Sequence, residues 1–441
     1  MTLATLLRQK NLQAVLTLKP PWLLQVRFVS VPRIRAKPDR ELDEVTDRDK
    51  ILRPFFRIMD VMSGQKGLAV KLRYLERIGW QFGIKNKTLT LTGFLKRYPN
   101  IFHVYKNPED GRMWCKCTPE FAALIDEDRQ LFRDMEPQSV QTLRRLLMMA
   151  AVGRICVDKL QDVRRIFGFP KDLVDRFIPE YPRFFKLAHF GLHTYVELVE
   201  WDDDLAVSEF EKRAKRDAMN KGMGDIEVRG KPLPFKIRLS PGMALRKKNL
   251  EVLESWQKLP YISPYEDWTL VTKGTPISEK RLAALMHEFL SLTIEKKARL
   301  KVIQPFREEF GLSQKVYHLF ERFPGIFYTS QRGAVKTIML REAYKGSELH
   351  EDHPLLHFKK KFVEMVNAGP RLRGSKVEGE HIEGQANETE DAGLCESSSD
   401  GEGMSDTDAA EETENECRDM DDCNDDSNEG DVETFSCKTS A

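Results

Sequence analysis

The stretch Phe94-Leu-Lys-Arg-Tyr-Pro-Asn-Ile-Phe102 decides the fold, because the chain repeats its pattern twice. The later copies are Phe177-Ile-Pro-Glu-Tyr-Pro-Arg-Phe-Phe185 and Leu319-Phe-Glu-Arg-Phe-Pro-Gly-Ile-Phe327. All three read apolar-apolar-x-x-aromatic-Pro-x-Ile/Phe-Phe. Proline cannot continue a helix, and it pushes the residue before it toward extended geometry. Each copy therefore predicts the end of a helix and the start of a strand.

A glycine and a second apolar run frame each copy. Upstream, Phe-Gly-apolar triplets place Gly83, Gly168 and Gly311 where glycine can close a helix in a left-handed conformation. Downstream, strand-like runs cover residues 113–117, 195–199 and 337–340. Each motif therefore predicts a strand that pairs with the next run as a β-hairpin.

Helical spacing of apolar residues precedes the two later copies. Ser139 and Ser278 are each predicted to cap the first helix of their copy. The spacing predicts further helices over residues 157–167, 171–179, 299–310 and 314–322. The first copy begins near Asp47, where Pro54 predicts a shorter or bent first helix.

These patterns predict a mostly helical α+β fold made of three helix-helix-helix-β-hairpin repeats, each similar to a winged helix. An unrelated α+β unit that stacks on its neighbours stays open as the alternative. The predicted boundaries are 31–46 for a linker, 47–122, 137–201 and 274–350 for the repeats, and 202–273 for a basic insert. The insert is not of low complexity, so we expect it to fold against the repeats.

The net charge of +1 conceals an uneven distribution. Residues 377–441 hold 23 Asp and Glu against only Arg418 and Lys438, which leaves the preceding residues with a net charge of +22. The basic body favours a polyanionic partner, because cations that neutralise phosphates release condensed counterions. The tail from about residue 371 to 441 has few apolar residues and is predicted to be disordered.

The first 38 residues carry seven Lys and Arg, with no acidic residue before Asp39. Leucines and a valine interrupt these charges at roughly helical spacing, which is typical of an organelle transit peptide. We expect processing near residue 30. Prominent arginine and sparse Ser and Thr favour the mitochondrion, with the chloroplast as the alternative. No run approaches the roughly 18 apolar residues that cross a bilayer, so no membrane span is predicted.

The seven cysteines show no disulfide framework. Cys115-Lys-Cys117 lacks a second pair or a histidine cluster, which disfavours zinc and favours two thiols on one face of a strand. A thiol hydrolase built on Cys156 and a histidine stays open as a rival function, but the flanking residues lack the glycines of an oxyanion-forming loop. No phosphate-binding or dinucleotide-binding glycine motif is present. The sequence thus predicts no enzyme, no metal and no cofactor.

Several motifs, in order, resemble the plant organelle RNA recognition domain family. They are Asp49-Lys-Ile-Leu52, the three Pro motifs, Gly168-Phe-Pro170 and Arg238-Leu-Ser-Pro-Gly-Met243. The resemblance covers residues 45–350. It implies a protein without known enzymatic activity that binds group II intron RNA and promotes its splicing in chloroplasts or mitochondria. Other splicing factors of a ribonucleoprotein would then be partners.

Recurring Lys and Arg predict a basic stripe that contacts RNA phosphates. Its predicted members are Lys71, Arg73, Arg77, Lys96, Arg97, Arg144, Arg145, Arg164, Arg165, Lys171, Arg246, Lys247, Lys248, Lys296, Lys297, Arg299 and Lys301. Trp80, Tyr105 and Trp114 are candidates for base stacking, whereas the motif aromatics are expected in the core. A DNA-binding regulator and a protein-interaction scaffold stay open as alternative functions.

Overall fold

The computed structural model describes residues 31–34, 36–84, 90–222, 231–267, 271–272, 274–312 and 316–375. The predicted transit peptide, residues 1–30, and the acidic tail beyond Ser375 lie outside the described residues. Within the described part the chain is α+β, which confirms the predicted fold class.

Three units carry the Pro motifs. The first contains α1 (Arg40–Ser63), β1 (Ala69–Lys71), α2 (Leu72–Arg77), α3 (Gly79–Phe82), α4 (Leu91–Arg97), β2 (Phe102–Lys106) and β3 (Met113–Cys117). After α5 (Pro119–Asp134), the second contains α6 (Glu136–Met149), β4 (Arg154–Cys156), α7 (Val157–Phe167), a π-helical turn (Leu173–Phe177), α8 (Ile178–Glu180), β5 (Phe185–Phe190) and β6 (His193–Leu198).

The insert and the third unit complete the described chain. The insert contributes α9 (Glu209–Asn220) and α10 (Lys247–Gln257). The third unit contains α11 (Pro276–Leu292), β7 (Lys297–Arg299), α12 (Leu300–Ile303), a 3-10 turn (Gln304–Arg307), α13 (Tyr317–Arg322), β8 (Phe327–Ser330) and β9 (Thr337–Leu340). A 3-10 turn (Arg341–Ala343), β10 (Tyr344–Lys345), β11 (Glu348–Leu349) and α14 (Pro354–Ser375) follow.

The three Pro motifs share one backbone geometry. The aromatic residues before the prolines, Tyr98, Tyr181 and Phe323, have φ of −120°, −117° and −118° with ψ between 56° and 70°. In each motif the helix ends immediately before this residue, and a strand begins at the final phenylalanine. The strand's first amide donates to the carbonyl of the aromatic residue at 2.9–3.0 Å. The motif therefore turns a helix into a strand, as its sequence predicts.

Each unit contains a three-stranded antiparallel sheet with the same strand order. The second hairpin strand lies in the centre, between the first hairpin strand and a short strand that precedes it in the chain: β1-β3-β2, β4-β6-β5 and β7-β9-β8. The residues just before the short strands, Leu68, Gly153 and Lys296, all have positive φ, at 51°, 67° and 50°. These short strands were not predicted from the sequence, and the likeness of each unit to a winged helix stays a prediction.

Two of the three glycines that follow a phenylalanine close a helix, as expected, whereas Gly311 lies in a turn after the 3-10 turn that ends at Arg307. Gly83, Gly168 and Gly311 have φ of 74°, 80° and 62°, a region in which a Cβ would be strained. Gly83 and Gly168 are the C-caps of α3 and α7.

Two main cores hold these elements together. One joins the second unit, the third unit and the insert, for example through Phe177, Phe289 and Trp256. The other lies in the first unit and includes Phe362 and Val366 of α14. The insert thus packs into the body of the protein, in line with the expectation drawn from its composition.

Several predicted boundaries differ from the structure. Ser139 lies inside α6, where its hydroxyl donates to the Gly168 carbonyl at 2.8 Å, and Met135 precedes the helix instead. Thr275 caps α11 by accepting from the amide of Ser278, the residue expected to be the cap. α1 begins at Arg40, inside the predicted linker, because Leu42 and Val45 pack against the third unit. α14 runs to Ser375, beyond the predicted start of the tail.

Candidate nucleic-acid interface

The aromatic residues of the Pro motifs belong to the core. Phe102, Phe185, Phe323 and Phe327 are buried. The tyrosines at positions 98 and 181 are partly buried and pack against the same cores. The expectation that these rings serve packing is confirmed, so they are not available for base stacking.

The second unit places two predicted cations in buried ion pairs. Arg145 donates to Glu288 at 2.5 Å, to Glu209 at 2.8 Å and to the hydroxyl of Tyr265 at 3.1 Å. Burial alone would lower the pKa of Arg145, but the Glu288 carboxylate raises it above its ordinary value. Arg144 lies 3.1 Å from a carboxylate oxygen of Asp202. Both guanidinium groups are more than nine-tenths buried and hold the insert to α6.

Three predicted cations connect the second unit to the first: Arg164, Arg165 and Lys171. Arg164 and Arg165 lie 2.7 and 2.9 Å from Asp60 on α1, and Arg165 also lies 3.2 Å from Asp128 on α5. Lys171 donates to the Asp60 carbonyl at 2.9 Å. The two arginines therefore neutralise carboxylates of the protein itself, and the lysine is held by the backbone of α1.

The densest basic run, in the third unit, divides into two pairs of residues. Lys297 is buried within 2.6 Å of Asp49 and 2.7 Å of Glu295, and Lys296 lies 2.9 Å from Glu351. Arg299 and Lys301, by contrast, form no ion pair with the described residues. Within the described part of the chain, this second pair is therefore the half of the run without an internal counter-ion.

The first unit exposes its predicted cations. Arg73 and Arg77 lie on α2, and Lys96 and Arg97 on α4, which packs against α2. None of these four forms an ion pair with a described residue, whereas the exposed Lys71 lies 3.6 Å from Asp110. In the insert, Arg246, Lys247 and Lys248 at the start of α10 are exposed and likewise lack a described carboxylate partner.

The stacking candidates also lie in the first unit. Trp80 on α3 is 70% exposed. Tyr105 and Trp114 face each other across the β2–β3 pair and are partly exposed. The Trp114 indole donates to Asp110 at 3.2 Å, and its ring centre lies 5.5 Å from the Lys71 ammonium. The first unit therefore combines unpaired cations with accessible rings.

A cleft of about 650 Å³ opens where α1, α7, the β7–α12 segment and α14 meet. Nine cationic side chains and five carboxylates line it, including Arg164, Arg165, Lys297, Arg299 and Lys301 of the predicted stripe. Arg53 and Arg57 of α1 line it as well, and neither was predicted from the sequence. The available signal was their spacing of four residues, which places two side chains on one helical face.

Three cysteines, Cys115, Cys117 and Cys156, lie in the part of the chain that the structure describes, and all three are buried. Cys115 and Cys117 are buried on one face of β3, as predicted, and burial raises the pKa of each thiol to about 12. Cys156 lies 3.8 Å from Asp158, which in turn is 3.9 Å from His193. These three are the described group whose donor atoms lie close enough, within 4.8 Å, to share a metal ion, and two of them are exposed. No hydrogen bond between these described residues joins the Cys156 thiol to the His193 imidazole, as an activated nucleophile and its base would require.

Comparison of the sequence with known proteins identifies the family to which the chain is similar. A sequence model of the plant organelle RNA recognition domain matches residues 37–371. The chain is 31% identical to the chloroplastic protein WHAT'S THIS FACTOR 1 of Zea mays, over 81% of this chain and 72% of that one. It is 30% identical to ROOT PRIMORDIUM DEFECTIVE 1 of Arabidopsis thaliana, over 80% and 89% of the two chains.

A mitochondrial relative also matches. WHAT'S THIS FACTOR 9 of Arabidopsis thaliana is 30% identical over 65% of this chain and 72% of that one. No solved structure matches the chain significantly. None of the described helices has the length and apolar character needed to cross a membrane.

Proposed function

Since the chain belongs to the plant organelle RNA recognition domain family, we propose that it binds group II intron RNA in an organelle and promotes its splicing. The observation that carries the RNA-binding part is the set of exposed, unpaired cations on α2 and α4 of the first unit. In this proposal the protein contributes no catalytic group, because the intron supplies its own catalytic centre.

Phosphate contact by these cations would supply most of the affinity. Each Lys or Arg that neutralises a phosphate releases counterions, and the cations that face water without an internal carboxylate are free to do so. Trp80 offers an exposed ring for an unpaired base, and Tyr105 and Trp114 offer partly exposed ones. Recognition of a folded intron by phosphates and splayed-out bases requires no base-reading helix.

The proposed interface is narrower than the stripe predicted from sequence. It keeps Arg73, Arg77, Lys96, Arg97, Arg246, Lys247, Lys248, Arg299 and Lys301. It also keeps Lys71, because its 3.6 Å contact with Asp110 is an exposed surface pair that contributes little. It sets aside the residues that neutralise internal carboxylates or bond to the backbone: Arg144, Arg145, Arg164, Arg165, Lys171, Lys296 and Lys297. For Arg145 and Arg165, breaking the internal pair to reach RNA would leave the buried carboxylates of Glu288 and Asp128 without that cation.

Localisation and partners belong to the same proposal. Of the relatives named above, WHAT'S THIS FACTOR 1 is chloroplastic and WHAT'S THIS FACTOR 9 is mitochondrial. We favour the mitochondrion for this chain on the basis of the arginines in its N-terminal segment. Other splicing factors of a ribonucleoprotein are the proposed protein partners. A fluorescent fusion of the full chain, imaged against markers of both organelles, tests the localisation.

Sequencing of RNA that co-purifies with the tagged full-length chain from isolated organelles tests the function. We expect enrichment of one or a few intron-containing transcripts, and plants lacking the protein should accumulate the same transcripts unspliced. Filter binding with intron RNA, random RNA and duplex DNA at several salt concentrations tests the alternatives. A preference for DNA would favour a DNA-binding regulator, and salt-insensitive or absent binding would favour a protein scaffold.

A further inference from the structure

More positive than negative side chains line the 650 Å³ cleft. Of its five carboxylates, Asp49 and Glu295 lie within ion-pair distance of Lys297 and Lys359. Asp60 and Asp128 are held by arginines 164 and 165. These internal pairs neutralise four of the five acidic groups.

Three arginines in the cleft are left without a carboxylate partner. Arg53, Arg57 and Arg299 are half-buried, and none forms an ion pair with a described residue. Arg57 donates to the backbone carbonyl of Gln81, which leaves its charge uncompensated. The cleft also contains Lys301 and the exposed Asp162, so its unpaired groups are four cations and one anion.

The three guanidinium groups repel one another. Arg53 and Arg57 lie one helical turn apart on α1, and β7 brings Arg299 to them from the third unit. Burial, and then the charge of Arg53, lowers the pKa of Arg57. Burial, and then the charges of Arg53 and Arg57, lowers the pKa of Arg299, and the more weakly acting Asp49 carboxylate only partly opposes this. Like charges placed together at a partly buried site destabilise the free protein, and a bound anion would relieve that repulsion.

We propose that Arg53, Arg57 and Arg299 form a phosphate-binding site that receives a backbone phosphate of the bound RNA. Guanidinium groups suit this role because their planar N–H donors match phosphate oxygens in pairs. The cleft volume falls within the roughly 300–1,000 Å³ of ligand sites, so it accommodates the sugar and base beside the phosphate. The site rests on the proposed RNA-binding function, and it would place RNA at the junction of the first and third units.

The test compares two double variants of the full-length chain. Arg53→Gln with Arg299→Gln removes two of the three charges, whereas Arg40→Gln with Arg48→Gln removes two exposed charges of α1 that do not line the cleft. For the cleft variant we expect about tenfold weaker binding to single-stranded intron RNA. The slope of log K against log salt should fall by about 0.7, the value for one phosphate contact. The control should change neither.

Thermal unfolding supplies a readout independent of RNA. Removal of mutually repelling charges should raise the Tm of the cleft variant, whereas a purely structural role of these arginines requires a lower Tm. Inorganic tripolyphosphate should raise the Tm of the wild type but not that of the cleft variant, because a ligand stabilises the state that binds it.

The outcomes separate the two proposals. If the wild type binds RNA and the cleft variant binds it with the same affinity and salt slope, the cleft site is overturned and the RNA-binding function stands. If the wild type binds no RNA, the proposed function fails. In that case tripolyphosphate protection that the cleft variant loses would assign the site to a free phosphate compound, and no protection would overturn it altogether.

Discussion

The first and second units carry arginines in comparable numbers but use them differently. In the first unit, Arg73 and Arg77 face water without an ion-pair partner among the described residues. In the second unit, Arg144 and Arg145 lie buried against carboxylates of the insert and the third unit. Arginine thus supplies a solvent-facing charge in the first unit and a buried ion pair in the second. Basic composition alone does not distinguish these two roles.

Replacement of Arg145 by alanine should have the largest effect. Loss of one partner of a buried ion pair costs about 3–5 kcal/mol, because the Glu288 carboxylate would remain buried without its counter-ion. We expect a large drop in the denaturation midpoint measured in urea. Arg73→Ala is the matched control in the first unit, and a surface change of this kind should stay within about 0.5 kcal/mol. Equal stability of the two variants would contradict the assignment of a structural role to Arg145 and a surface role to Arg73.

Acid titration should reveal the contribution of another buried ion pair, that of Glu342, to the free energy of unfolding. Burial would raise the pKa of this carboxyl, but the hydrogen bond and charge of His287, with the charge of Arg213, lower it to about 2 from 4.5. A lowered carboxyl pKa contributes stability above pH 4.5 that is lost as the pH falls toward 2, here about 3 kcal/mol. Urea unfolding measured across this pH range checks the loss.

A matched pair of variants isolates that contribution. Glu342→Gln should flatten the acid dependence of the unfolding free energy between pH 4.5 and 2. Glu200→Gln removes a surface carboxylate whose pKa is lowered by its hydrogen bond with Arg183. Solvent screens this pair, so the variant should change the curve much less than Glu342→Gln does. The same curve for wild type and Glu342→Gln would contradict the assignment.

Combined loss of the first unit's free cations should weaken RNA binding without unfolding the protein. We expect Arg73→Ala, Arg77→Ala, Lys96→Ala and Arg97→Ala together to reduce affinity for single-stranded intron RNA by roughly 30-fold. The salt slope should fall by about 0.7 for each phosphate that these side chains no longer neutralise. Fluorescence anisotropy at several salt concentrations measures both quantities, and an unchanged circular dichroism melt serves as the folding control. An unchanged slope would show that these residues meet no phosphate.

The smallest effect is expected at Cys156. If the second unit contributes structure and no chemistry, Cys156→Ala should change RNA affinity less than about twofold and leave splicing of the target intron intact in complemented plants. His193→Gln is the companion variant, since it alters the neighbouring imidazole without touching the core. Loss of splicing in both variants, with RNA binding retained, would favour the thiol enzyme.

Local chemistry predicted much of the fold. Proline and the aromatic residue before it dictate where a helix stops, and Phe-Gly marks helix closure, so three helix-to-hairpin turns follow from a few residues each. The short strands β1, β4 and β7 could not be found in this way. Each has only three residues, too few to show alternation, and becomes a strand by pairing with a hairpin far along the chain.

The predicted helix caps and the predicted linker boundary were wrong for a related reason. Ser139 has the right side chain for a cap, but α6 begins three residues earlier, at Glu136, and the Ser139 hydroxyl bonds instead to the carbonyl of Gly168, 29 positions along the chain. The start of α1 at Arg40 depends on contacts of Leu42 and Val45 with Tyr328 and Met339, which lie far along the chain. No local signal contains that information.

The candidate site was predicted only in part, because ion pairing is a property of the tertiary fold. Arg145 and its partner Glu288 are separated by 143 positions in the chain, so the sequence could not tell this arginine from the free Arg73. Arg53 and Arg57 were not predicted as site residues, because the helix that contains them also carries acidic residues. What identifies them is the neutralisation of the surrounding carboxylates by other cations.

Photo-crosslinking of the full-length chain to intron RNA containing 4-thiouridine, with the joined peptides mapped by mass spectrometry, tests the central claim most directly. We expect crosslinks in the first unit around Trp80, Tyr105 and Trp114, together with peptides that contain Arg53 or Arg299 at the cleft. Crosslinks confined to the second unit or to the acidic tail, with none in the first unit, would contradict the proposed interface.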